Sequence, residues 1–178
     1  SRCEGTVANV DMLVEMRADL EAMDKKGRTA LFHCCNSGHL QVAKHLLSMR
    51  ALVNSKTGDG ITPLMVAMME KQKYLAILLL EFKASLGLRD SRGWTALFYA
   101  CDEGISDMVK MLLQRKASVS EHAIDHLTPL MICAQTGNIR IARSLLHRQA
   151  NPNARNDKGK TSLFLSIEAG KTDFSNWL

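Results

Sequence analysis

His33, Cys34, Cys35 and His39 place four metal-type ligands within seven positions, and zinc is the ion such a set would suit. Structural zinc sites close on the ion through spacings such as CxxC and HxxxH, and neither occurs in this cluster. No metal is expected. Gly159-Lys160-Thr161 and Gly170-Lys171-Thr172 each copy the end of a phosphate-binding loop. That loop needs an earlier glycine and a preceding strand. Ala154 and Leu165 stand where the glycine belongs, so no nucleotide is expected either. Ser, His and Asp residues are present, but nothing in their spacing brings a nucleophile, a base and an orienting acid together. The reading is of a protein with no catalytic residues and no cofactor.

The order in the chain lies instead in a period. Thr29-Ala30-Leu31 recurs as Thr62-Pro63-Leu64, Thr95-Ala96-Leu97, Thr128-Pro129-Leu130 and Thr161-Ser162-Leu163, always 33 residues on. A Leu-Leu pair keeps the same step at Leu46-Leu47, Leu79-Leu80, Leu112-Leu113 and Leu145-Leu146, and alanine follows at Ala51, Ala84, Ala117 and Ala150. Glycine falls two before the threonine, except at His126, and nine after it, except at Lys71. Threonine before an apolar run caps a helix by accepting an orphan backbone N–H, and Pro63 and Pro129 then occupy the first helical position. The later glycine ends that helix, and a second helix carries the Leu-Leu pair on an apolar stripe. The same register explains the cysteines. Cys34 and Cys133 share a column with Ala67 and Ala100, and Cys35 and Cys101 share one with Ala134, so all four read as small buried hydrophobes. Cys3, in an incomplete first unit, is expected to be the one exposed thiol.

These motifs resemble the ankyrin repeat, a helix-turn-helix with a projecting loop or hairpin. The resemblance implies an all-α ankyrin-repeat solenoid in a single domain. Its units are a partial repeat over 1–23, complete repeats over 24–56, 57–89, 90–122 and 123–155, and a partial C-terminal repeat over 156–178. Two columns depart from the family pattern. Phe32, Met65, Phe98, Met131 and Phe164 replace the usual histidine, so apolar packing is expected in place of its hydrogen-bond network. Arg17, Arg50, Lys83, Lys116 and Gln149 replace the usual glycine, and a left-handed backbone there costs about 1 kcal/mol each. Because 178 is not a multiple of 33, both ends fall inside repeats, and the chain is expected to be a fragment of a longer protein.

Composition fits this reading. The chain is 46% hydrophobic, 23% charged and 5% aromatic, which excludes a disordered or collagen-like protein. Apolar runs such as Leu75–Leu80 are far too short to span a bilayer, so no membrane insertion is expected. Five cysteines without framework spacing favour a reducing, intracellular setting, cytoplasmic or nuclear. The net charge of +5 comes from basic residues interleaved with acids, a pattern of solvated surface that makes nucleic acid the weaker alternative.

Solenoids of this type recognise proteins through loop tips and first helices. The residue before each threonine is Arg28, Ile61, Trp94, Leu127 and Lys160, an apolar centre between two cations, and the tips repeat that layout with Lys25, Lys26 and Lys158. Met69 continues the surface, and so do Asp102 and Glu103, while Tyr99 should lie near Trp94. The expected site is therefore Ile61, Trp94, Leu127, Met69 and Tyr99, bordered by Arg28, Lys160, Lys25 and Lys26. It would take a protein or peptide with an apolar centre and acidic flanks, bound by a monomeric scaffold or targeting module. The alternative is a substrate-recruiting domain of a larger enzyme or channel. Asn54 and Asn153 occupy the loop column where ankyrin-like repeats can be hydroxylated.

Overall fold

The structure, a computed structural model, describes Met12, Met16 and residues 18–178. Cys3, Arg17 and the rest of the first partial repeat before Ala18, apart from Met12 and Met16, therefore lie outside the described residues. The described residues hold ten helices and no strand. They come in pairs: α1 (Ala30–Ser37) with α2 (Leu40–Ser48), α3 (Pro63–Met69) with α4 (Lys73–Glu81), α5 (Ala96–Asp102) with α6 (Ser106–Gln114), α7 (Pro129–Thr136) with α8 (Ile139–His147), and α9 (Ser162–Glu168) with α10 (Thr172–Trp177).

The threonine column starts each pair as its chemistry requires. Thr29, Thr62, Thr128 and Thr161 accept the N–H of Phe32, Met65, Met131 and Phe164 at 3.4, 3.3, 3.3 and 3.5 Å. Thr95 holds the same extended cap geometry but makes no side-chain cap bond. Left-handed residues close the helices. Gly38 and Gly137, both at φ 80°, end α1 and α7, and Lys71, the exception in that column, takes φ 55° all the same. Arg50, Lys83, Lys116 and Gln149 sit at φ 70°, 61°, 67° and 65°, so the turn after each second helix keeps its left-handed form without glycine.

Contacts gather the chain into two compact units, one ending at Ser85 and the other covering Leu86–Leu178. In the first, α1 packs on α2 and α3, α3 on α4, and α2 on α4. Leu31, Cys35, Leu46, Leu64, Met68, Leu75 and Leu79 fill the layers between them. In the second, α5 packs on α6 and α7, α7 on α8 and α9, α9 on α10, and α6 on α8, around Leu97, Phe98, Met108, Leu112, Leu130, Ile141 and Phe174. Burying each such side chain is worth about 1.5–3 kcal/mol. Cys34, Cys35, Cys101 and Cys133 are all buried as small apolar groups. Desolvation pushes the Cys34 thiol up to about 11 and that of Cys35 to about 12.

The column that replaces the family's histidine divides. Phe32, Met65, Phe98 and Met131 are buried, but Phe164 is 53% exposed, beside exposed Leu163 and Ile167. Packing was expected for it too. The difference is that no further layer follows α9 and α10 among these residues to cover that face.

Candidate functional site

Where the residue that opens a repeat is polar, its side chain fixes the projecting loop, at Asp24, Thr57, Asp90 and Asn156, the last accepting the N–H of Lys158 at 3.0 Å and of Lys160 at 2.9 Å. In the first unit, the Asp24 carboxylate accepts the backbone N–H of Lys26 at 2.8 Å and of Arg28 at 3.1 Å, and the Arg28 side chain at 2.7 Å. His33 reaches the same carboxylate at 3.2 Å. The Arg28 guanidinium in particular holds the Asp24 carboxyl far below the usual carboxylate range. The next loop uses Thr57, whose hydroxyl accepts the N–H of Ile61 at 3.1 Å, and Gly58 N–H reaches the Lys26 carbonyl at 3.5 Å to tie the two loops. Ile61 and Met69 are half-buried, and Lys25 and Lys26 are exposed. Arg28, expected as a border cation, is bound within its own loop.

The second unit carries the most elaborate loop. The Asp90 side chain, only 2% exposed, accepts the N–H of Arg92 at 2.9 Å and of Trp94 at 2.8 Å. Tyr99 donates its hydroxyl to the other Asp90 oxygen at 2.6 Å and accepts from the Arg92 guanidinium at 2.7 Å. That guanidinium lies 4.3 Å over the Trp94 ring, which in turn stacks on Phe98 at 5.7 Å and meets Tyr99 edge-on at 5.2 Å. Burial, with the bond to Asp90, pushes the Tyr99 phenol up to about 12.

Tyr99 thus lies beside Trp94 as its spacing suggested, but it is buried and does not belong to an exposed surface. Its ring sits inside the layer and its hydroxyl locks the loop. Arg92, absent from the expected set, is the exposed member of the cluster and covers a face of half-buried Trp94. The signal for the loop lock was present in the sequence: aspartate or asparagine opens three of the described repeats, at Asp24, Asp90 and Asn156, and such side chains bond their own backbone two residues on.

Farther along this unit, Ile124 N–H bonds the Arg92 carbonyl at 3.0 Å and Asp157 N–H bonds the Asp125 carbonyl at 3.2 Å, so consecutive loops are tied in a row. Between the last two loops and the ends of α7 and α9 lies a groove of about 510 Å³. Leu127 and Leu165 supply apolar wall, and Asp125, Asp157, Lys158, Lys160 and Glu168 supply charge. Lys160, the other expected border cation, bonds the Glu168 carboxylate and lies 5.6 Å over the Phe164 ring. The groove therefore holds both signs of charge where a basic rim was expected. On α5, burial and neighbouring Glu103 both raise the Asp102 carboxyl.

Asn54 is exposed, and its side-chain oxygen accepts Ser85 N–H at 2.9 Å; Asn153 is exposed on the corresponding loop of the second unit. No group of three or more His, Cys, Asp or Glu that could hold a metal occurs among the described residues, and no described helix is long and apolar enough to cross a membrane. His33, which the sequence places beside Cys34, turns to Asp24.

A search of curated proteins finds no match. Family descriptions do match: Ankyrin repeats (many copies) over residues 4–47, Ankyrin repeats (3 copies) over 49–123, and Ankyrin repeat over 125–157. Those matches span the helix pairs from α1 to α8 with the loops that recur every 33 residues, and the chain belongs to the ankyrin repeat family of protein-interaction modules.

Proposed function

We propose that this chain is a non-catalytic recognition module that takes a peptide or protein segment on its loop tips and first helices. In the first unit the contact residues are Ile61, Met69, Lys25 and Lys26; in the second they are Trp94 with Arg92, and Leu127. The observation that carries this reading is the groove between the last two loops. Its anchored backbone, apolar Leu127 and Leu165 and mixed charges suit an extended segment with one or two apolar side chains flanked by charge. Loops locked by Asp90 and Asn156 lose little freedom on binding, which favours affinity.

The test is a peptide-display selection on the wild-type chain, with binders re-measured on Leu127→Asp/Lys158→Glu. Both positions sit at the loop surface, so the thermal transition should stay in place while affinity falls at least tenfold. Equal binding to the folded variant would remove the groove from the function. Asn54 and Asn153 are proposed as hydroxylation sites on the exposed loops. Peptide mass spectrometry of the protein from its native source should show the gain of one oxygen atom at these residues, and unmodified peptides would dismiss the assignment.

A further inference from the structure

The last two loops have a second side. Away from the groove they enclose a notch of about 280 Å³, whose lining includes Val119, His122, His126, Ala150, Ala154 and Arg155. It shares no lining residue with the groove. All three of its ionisable residues are basic, and no carboxylate lines it. The nearby acids are engaged or turned elsewhere. Glu121 pairs with Arg89, which also donates to the His122 carbonyl at 3.2 Å, while Asp125 and Asp157 line the groove.

Two of the three basic residues are in direct contact. The His122 and His126 rings stack at 4.8 Å and 14°. His126 has an anionic partner, since its Nδ1 lies 2.5 Å from the Asp157 carboxylate. His122 has no such partner in the notch. An anion placed there would supply one, with the Arg155 guanidinium, which also donates to the Gly159 carbonyl at 3.3 Å, as the positive charge and Val119, Ala150 and Ala154 as an apolar wall. His126 also stands at a position that other repeats give to glycine, at φ 54°, so the loop holds a strained residue where glycine would relax it.

We infer that this notch is a binding site for a carboxylate on a short aliphatic stem. The carboxylate lies against His122 and Arg155, and the stem lies against Val119, Ala150 and Ala154. No covalent bond forms or breaks.

Butyrate is the probe, titrated into the whole chain while the ring resonances of His122 and His126 are followed by NMR. Sodium chloride at matched ionic strength is the blank and inorganic phosphate the competing oxyanion. The expected result is a saturable shift with butyrate. It should weaken at least fivefold in both His122→Gln and Arg155→Gln. A shift reproduced by chloride, or one that phosphate matches at equal concentration, would overturn the carboxylate site. So would unchanged binding in Arg155→Gln when its thermal transition equals that of the wild type.

Discussion

Replacing Tyr99 with phenylalanine removes one oxygen and leaves no cavity, so it isolates the loop lock from the packing. The lost oxygen donates to the Asp90 carboxylate at 2.6 Å and accepts from Arg92 at 2.7 Å. Arg92 is exposed and water can take over its bond, whereas Asp90 is 2% exposed and retains the two backbone N–H donors and the Arg92 guanidinium at 3.5 Å, with no second hydroxyl to replace the lost one. A hydrogen bond to a charged group is worth about 1.5–3 kcal/mol, and the Asp90 bond alone sets the expected loss at about 2 kcal/mol. Asp90→Asn keeps an acceptor for the two N–H groups but can no longer offer a carboxylate to the phenol. The double variant should therefore lose less than the sum of the single losses, with a coupling of about 1–2 kcal/mol. Urea unfolding followed by far-UV circular dichroism, fitted globally for wild type, both single variants and the double variant, measures this. The corresponding residue of an earlier repeat is the control. His33 meets Asp24 in the same relation, but both are exposed, and His33→Ala should leave the transition midpoint in place. A loss below about 0.5 kcal/mol for Tyr99→Phe, or additive single losses, would refute the claim that the buried pair holds the loop.

Three further outcomes follow from the same structure. In a Tyr74→Phe background, leaving Tyr99 as the chain's single tyrosine, ultraviolet titration should show phenolate forming near pH 12. Because this pKa is raised on folding, the contribution is intact below the unfolded value, near 10, and is lost as pH rises toward about 12. Tyrosinate appearing in the folded protein near pH 10 would contradict the buried hydroxyl. Lys83→Gly relieves a left-handed residue at φ 61° and should stabilise the protein by about 0.5–1 kcal/mol in thermal unfolding. A destabilised variant would show that the lysine stem contributes more than the strain removes. A thiol reagent should find Cys34, Cys35, Cys101 and Cys133 slow in native protein and fast in denaturant, since burial disfavours the thiolate. Rapid labelling of any of these four under native conditions would contradict their place in the helix layers.

The register of the sequence made the fold legible because each column carries its own physical reason. The threonine before Leu31, Leu64, Leu130 or Leu163 is a cap wherever it appears, and the Leu-Leu pair can be buried only by a neighbouring helix. Local rules also located the glycine turns, whereas at Lys71 and His126, the exceptions in those columns, it was the structure that showed the same left-handed backbone. The site was less legible. Ile61, Trp94 and Leu127 stand in one column, which placed them on the loops, but nothing in that column states how far each side chain is covered.

Burial and pairing depend on what the next loop or layer supplies, and that was decided by tertiary structure. Tyr99 and His33 occupy the same column nine residues after an aspartate, yet Tyr99 is buried on Asp90 while His33 remains exposed on Asp24. Arg28 and Lys160 look like free cations in the sequence and are bound by Asp24 and Glu168 in the structure. The stacked His122 and His126, with Asp157 arriving from the following loop, have no sequence signature. Period and helix type follow from local backbone chemistry and spacing, so the sequence by itself determined them. Exposure and the His126–Asp157 pairing arise from contacts between residues about one repeat apart, while Arg28, Lys160 and Tyr99 meet partners four to nine residues away across their own loop and first helix, and only folding brings those together.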